Sequence, residues 1–238
     1  MQTGEGCVGI DGARGGWLAL SHQIGGLHAD GYADPPALLD AHADKQVIAV
    51  DIPLGLRCSG PRQADLLARK FVGGHRACSV FASPVRGILA STSQREASAL
   101  HRSIDGRRFA AQAFGLLPKI RQWDTCLQAD AYWRARVYEV HPEVSFAALN
   151  GGAAQGLWQS KKSEAGRERR LVLLAGVYGL EAVQTLLASV PRRLAARDDV
   201  LDALVALWSA ARIAAGLATS LPSPPESDMA GLRMAIHF

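Results

Sequence analysis

The stretch GIDGARGGW, residues 9–17, decides the fold. Val8 and Ile10 flank Gly9 in an apolar run that ends on Asp11, and Trp17-Leu18-Ala19-Leu20 begins a second run after the glycines. That pattern predicts strand, tight turn and strand. Working outward, residues 26–32 predict a weaker third strand and complete an antiparallel meander. Asp34-Pro35-Pro36-Ala37 then opens a helix to about Ala43, with Asp34 as its cap and proline early in the helix. Residues 47–52 form a continuous apolar run rich in β-branched side chains, which predicts a buried parallel strand. It too stops at an acid, Asp51.

Residues 56–135 read as a mainly helical insertion, with helices over 62–71, 108–114 and 118–134 and a loop over 73–90. Residues 137–141 predict another strand, running into Pro142-Glu143. A helix with a basic entry follows over 160–178, and a helix rich in small residues over 198–215. Residues 221–228 (LPSPPESD) read as a Pro/Ser loop, and 231–238 as a closing strand. This order predicts one α/β domain over 1–238, a mixed sheet with helices on both faces.

Composition sets wide bounds. Of 238 residues, 48% are hydrophobic and 20% charged, an ordinary globular balance, and the formal charge of +4 permits an anionic partner without requiring one. No run of about 20 uncharged apolar residues occurs, since the best candidate, 201–221, carries Asp202 and Arg212. The N-terminus lacks the pattern of a signal peptide. Cys7, Cys58, Cys78 and Cys126 have no metal-ligand spacing, and so are expected to be reduced core thiols of a cytoplasmic protein without structural zinc.

The acids fall in a pattern. Asp11 and Asp51 end strands, Glu139 lies on a strand with His141 and Glu143 at alternate positions behind it, and Asp198, Asp199 and Asp202 open the small-residue helix. Carboxyl ends of strands in open α/β sheets collect ligands. Carboxylates gathered there repel one another and raise one another's pKa unless a cation compensates. For an all-oxygen cluster that cation is Mg²⁺ or Mn²⁺, and two such ions can hold a phosphodiester and activate a water. Each acid also has a plainer role open to it: Asp11 as a turn former, Asp198 as a helix cap, His141 as a hydrogen-bonding histidine. Asp199 and Asp202, spaced i,i+3, share a helix face. Arg76, Ser79 and Arg86 surround Phe81 in a loop suited to phosphate and a stacked base. Lys161, Lys162, Arg167, Arg169 and Arg170 form a basic run suited to a phosphate backbone or simply to solvent.

Taken together, VGIDGARGGW, VIAVDIPLGL, RACSVFASPVRG, YEVHPEVSFAALNG, SKKSEAGRERRLVLL, DDVLDALVALWSAAR and GLRMAIHF resemble, in order and over nearly the whole chain, the DUF429 family of uncharacterised proteins expected to be RNase H-like nucleases. DDVLDAL is similar to the DxxDA helix of the RuvC-type resolvases. The resemblance implies an RNase H-like mixed five-stranded sheet with flanking helices, the insertion falling between the fourth and fifth strands. It implies Mg²⁺ or Mn²⁺ held by Asp11, Asp51 and one or both of Asp199 and Asp202, with Glu139 and His141 as catalytic groups. Arg76, Ser79, Arg86, Lys161 and Lys162 would bind substrate, DNA or RNA. One departure stands out: the resolvases usually carry Glu where this chain has Asp51. A non-catalytic nucleic-acid-binding or regulatory protein of the same fold is a second possibility. A nucleotide-dependent phosphotransferase is a third, although such proteins carry two halves of this fold and only one GID strand start occurs here.

Overall fold

The computed structural model describes residues 4–238. Strands β1 (Cys7–Ala13), β2 (Gly16–Gln23) and β3 (Gly26–Tyr32) form the meander, and helix α1 (Pro35–Ala41) leads into β4 (Val47–Val50). Between β4 and β5 (Val137–Glu139) the chain carries α2 (Gln63–Val72), α3 (Gln94–Asp105), α4 (Ala111–Phe114), α5 (Leu117–Ala129) and α6 (Ala131–Arg136). Then come α7 (Pro142–Leu149), α8 (Glu164–Tyr178), α9 (Leu180–Ser189), α10 (Arg197–Ala214), β6 (Ser220–Ser227) and β7 (Arg233–His237). The main sheet has the order β3-β2-β1-β4-β5; β1 is antiparallel to β2 and parallel to β4, and β4 is parallel to β5. The α/β class and the mixed five-stranded sheet are therefore as expected.

Side-chain alternation sorts the sheet into two faces. Cys7, Leu18, Leu20, Val47 and Ala49 pack with α8, α9 and α10 in one core. Val8, Ile10, Trp17, Ala19, Ile48, Val50 and Val137 pack with α1 and α5 in the other. On the first face α10 lies directly on β1, because position 9 is glycine: a Cβ there would stand 2.0 Å from Leu207 N and 2.4 Å from Ala203 O. Backbone meets backbone, so the small residues of α10 and Gly9 are one packing device.

Several elements differ from expectation. The expected helix over 118–134 breaks at Asp130, whose carboxylate accepts from Tyr132 N at 2.7 Å and starts α6 anew. The helix expected over 108–114 shrinks to the single turn of α4. Helices α3 and α9 were not anticipated. Residues 221–227 are no loop: they belong to β6, which pairs antiparallel with β7 and ends just before Asp228. Proline is tolerated on so short an edge ribbon because its missing N–H need not face a partner. The closing strand β7 joins the main sheet through one parallel bridge, Val140 to His237. All four cysteines are free, but Cys58 and Cys78 are exposed and only Cys7 is fully buried, which corrects the core-thiol expectation. Among the described residues no single helix is long and apolar enough to cross a membrane.

Candidate functional site

Alternation explains which acids meet. Asp11 has the parity of Cys7 and Gly9, so its side chain emerges on the α10 face. Asp51, just past β4, has the parity of Val47 and Ala49, and its N–H donates to Ile10 O at 3.0 Å to hold it beside β1. Asp202 comes down from the buried face of α10. All three line the floor of one cavity of about 540 Å³ at the carboxyl ends of β1 and β4. Asp11 is anchored by Gly12 N, 2.8 Å from its Oδ1.

Burial and mutual repulsion act on these carboxyls together. Burial, then Asp51 and Asp202, push Asp11 well above the usual carboxylate range. Burial pushes Asp51 up to about 6, with Glu143 adding to the rise and Lys161 opposing it. Asp202 is raised to about 6 by burial against the pull of Lys161. The Lys161 Nζ lies 2.5 Å from Asp202 Oδ2. Burial disfavours its charge, but Asp202, Asp11 and Asp51 outweigh that and hold it as ammonium. Asp202 is 1% exposed and its Oδ1 has no partner.

The cavity walls are of two kinds. Arg76, Ser79, Lys161 and Lys162 give a polar, basic side; Trp17, Phe81 and Leu116 give an apolar one. Phe81 is 54% exposed and so is not a core residue. His141 and Glu143 also line the cavity, but not as successive residues of a strand. Strand β5 stops at Glu139, and His141 is the N-cap of α7, its Nδ1 accepting from Glu143 N at 3.2 Å. That bond places the proton of the neutral ring on Nε2, and burial lowers the pKa of the ring. Glu143 Oε1 accepts from Arg76 Nη2 and Arg170 Nη2, each at 2.7 Å, and Arg170 is fully buried.

Other expected site residues lie elsewhere. Glu139 shares the parity of Val137 and so faces away from α10. Arg62 clamps both its oxygens at 2.6 and 2.9 Å, and Leu54 N donates at 2.7 Å. It is a structural ion pair outside the cavity. Asp199 does not line the cavity either; its Oδ2 reaches back to Ala196 N at 3.0 Å and closes the first turn of α10. The N-cap position there is Ala196, not Asp198. Arg86 forks onto Asp124 at 2.9 and 3.0 Å and onto Asp228, away from the cavity. The basic run divides: Lys161 and Lys162 reach the cavity, Arg170 is buried under Glu143, and Arg169 binds Asn150 Oδ1 at 2.6 Å.

Lys119 is a cavity residue that sequence reading missed. From α5 it donates to Gly16 O at 2.9 Å and lies 4.7 Å over the Trp17 ring, and a Cβ at Gly12 would come within 2.8 Å of its Nζ. Gly12 thus makes room for the insertion to seat on the first hairpin. Nothing local in the sequence connects positions 12 and 119.

The donors are of the type a hard divalent ion takes: carboxylate oxygens, buried at Asp11 and Asp202 and half-buried at Asp51, with Asp202 Oδ1 orphaned. Among the described residues, however, no group of three or more His, Cys, Asp or Glu side chains is arranged so that it could hold a metal ion. Asp202 is engaged with Lys161 instead.

Residues 9–227 match the family described as "Protein of unknown function (DUF429)", and the chain belongs to it. No curated protein and no solved structure matches the chain significantly.

Proposed function

We propose that this DUF429 protein is a divalent-metal-dependent phosphodiesterase acting on nucleic acid, with an RNase H-like core. One observation carries this reading: two buried carboxylates, from β1 and α10, and the half-buried carboxylate at the end of β4 line one cavity whose wall is basic. Strand order and the placement of acids at β1 and β4 support the RNase H-like assignment.

Asp11, Asp51 and Asp202 would hold Mg²⁺ or Mn²⁺. When bound, the ion supplies Lewis-acid charge at a phosphoryl oxygen and an acidified water. The chain's own groups do the rest. Arg76, Ser79 and Lys162, which line the cavity, would take phosphate oxygens. The Arg76 Nε, buried and without a partner, is an unspent donor for that purpose. Phe81 offers an exposed ring on which an unpaired base can stack. His141, neutral and protonated on Nε2, can donate a hydrogen bond or a proton to an oxygen leaving the phosphate. The wall formed by residues 76–81 and 116–119 favours a strand end or unpaired nucleotide over an intact duplex.

The test is cleavage of single-stranded, duplex and branched DNA and RNA in Mg²⁺ or Mn²⁺, with Asp11→Asn prepared identically. The expected result is cleavage by the wild-type protein that falls at least a hundredfold in the variant. Equal rates in both proteins, or none in either, would overturn the proposal. The lack of any such group of three ligating side chains among the described residues favours a second reading, a nucleic-acid-binding protein of the same fold. That reading predicts binding indifferent to a chelator and to Asp11→Asn.

A further inference from the structure

We infer that a second pocket, on the outward face of α3, binds the phosphate backbone of nucleic acid through Arg95, Arg102 and Arg108. This assignment rests on the nucleic-acid part of the proposed function and on no metal. Helical spacing builds one half of the pocket. Positions 95, 98 and 102 fall on one face of α3, while Ala97 and His101 are buried on the other. The loop after α3 builds the second half. His101 Nδ1 lies 2.8 Å from Arg107 O, and Gln94 Nε2 donates to Phe109 O at 3.2 Å. These two bonds bracket Arg108 and hold its backbone against the helix. The pocket between them measures about 520 Å³.

Arg95, Arg102 and Arg108 are exposed, and among the described residues none of their guanidinium groups is held by an ion pair or a hydrogen bond. No acid lines the pocket. Both acids of α3 are engaged elsewhere: Glu96 Oε2 accepts from Thr92 N at 2.9 Å, and Asp105 binds Gly60 N and Arg107. Three like charges around one pocket repel one another, and an anion removes that cost. Guanidinium forks match pairs of phosphate oxygens, and Ser98 adds a neutral donor. The base is not read. Phe109 is 5% exposed and stacks on His101, so it offers no open ring to a base. A backbone, which brings several phosphates at once, suits three separate exposed arginines better than one free phosphate does. The pocket is also within reach of the cavity. From Arg108 the chain runs through α4 to Leu116 on the cavity wall. That is eight residues, a span of at most about 28 Å. A strand seated in the cavity therefore reaches the arginines within a few nucleotides.

The test is fluorescence anisotropy with labelled single-stranded DNA of mixed sequence across a range of salt, in chelator so that no cleavage intervenes. The combined variant Arg95→Gln, Arg102→Gln and Arg108→Gln is expected to bind about a hundredfold more weakly at about 0.1 M salt. Its slope of log K against log salt should be shallower by about 2, the share of three single-strand contacts. Lysine at the same three positions is expected to keep the wild-type slope. The control variant Arg192→Gln, Arg193→Gln and Arg197→Gln removes the same charge from the other face of the sheet, where Leu194 and Ala195 pack. It should stay within about threefold of wild type. Equal affinity and slope in the wild-type and pocket-glutamine proteins, or an equal loss in the control, would overturn the assignment, as would wild-type protein that binds no DNA. Calorimetry with tripolyphosphate separates the other source of phosphate. If its binding is lost in the pocket-glutamine protein while DNA binding is unchanged, the pocket serves a free polyphosphate and the assignment is wrong. Cleavage that depends on Asp11 is a separate readout, so the pocket and the proposed function can fail independently.

Discussion

Asp51 shows the cost of the site at the level of one residue. Its folded pKa of about 6 lies above the ordinary carboxyl value. The folded state therefore binds the proton more tightly than the unfolded chain does. The resulting stabilisation is complete below about pH 4, and is lost as the pH rises through about 6. Asp202 behaves in the same way. Metal-free protein is thus expected to lose stability across that window. Asp51→Asn should raise stability near neutral pH by about 2 kcal/mol, measured by urea unfolding without metal. An unchanged or lowered stability would contradict the burial argument. Glu139 gives the opposite case. Glu139→Gln should leave Mn²⁺ affinity within about twofold of wild type but cost about 3 kcal/mol of stability, because Arg62 stays buried with a weakened partner. Asp11 and Asp51 were legible in the sequence because each ends an apolar run. Asp199 and Asp202 were not separable by spacing; they part because Asp199 sits in the first turn, where backbone N–H groups need an acceptor. Glu139 was wrongly grouped with His141 and Glu143 because alternation was carried past the end of β5, where the chain turns into α7.

At the scale of elements, the contact of β1 with α10 organises the site, since it brings Asp202 over Asp11. Gly9 permits it. Gly9→Ala drives a methyl group into the backbone of α10, which cannot give way as a flexible side chain would. The expected loss is about 3 kcal/mol or more, seen as a lowered Tm; a neutral effect would show that helix and strand are not held as described. The meander, β4 and α10 were readable because each has an unbroken hydrophobic period. Strand β6 was not, because Pro222, Pro224 and Pro225 mimic a loop. The break between α5 and α6 was hidden because helical periodicity continues across Asp130 while only its capping bond marks the interruption.

For the whole molecule, the insertion between β4 and β5 supplies one wall of the cavity at the carboxyl ends of β1 and β4. Its extent was legible as a change in pattern over 56–135. The cavity was not, because it joins residues 76–81, 116–119 and 160–162, whose meeting depends on tertiary packing and leaves no local spacing. That wall makes a prediction of its own. Phe81→Ala should weaken binding of single-stranded oligonucleotide by about tenfold through lost stacking, with little effect on Mn²⁺ binding; equal affinity by fluorescence anisotropy would remove Phe81 from the substrate surface. The central claim, that Asp11, Asp51 and Asp202 form a metal site, is tested most directly by an anomalous difference map from crystals soaked in Mn²⁺. The account predicts a peak on the cavity floor bounded by those three carboxylates. A cavity without a peak, or a peak on Glu139 or Asp199 instead, would contradict it.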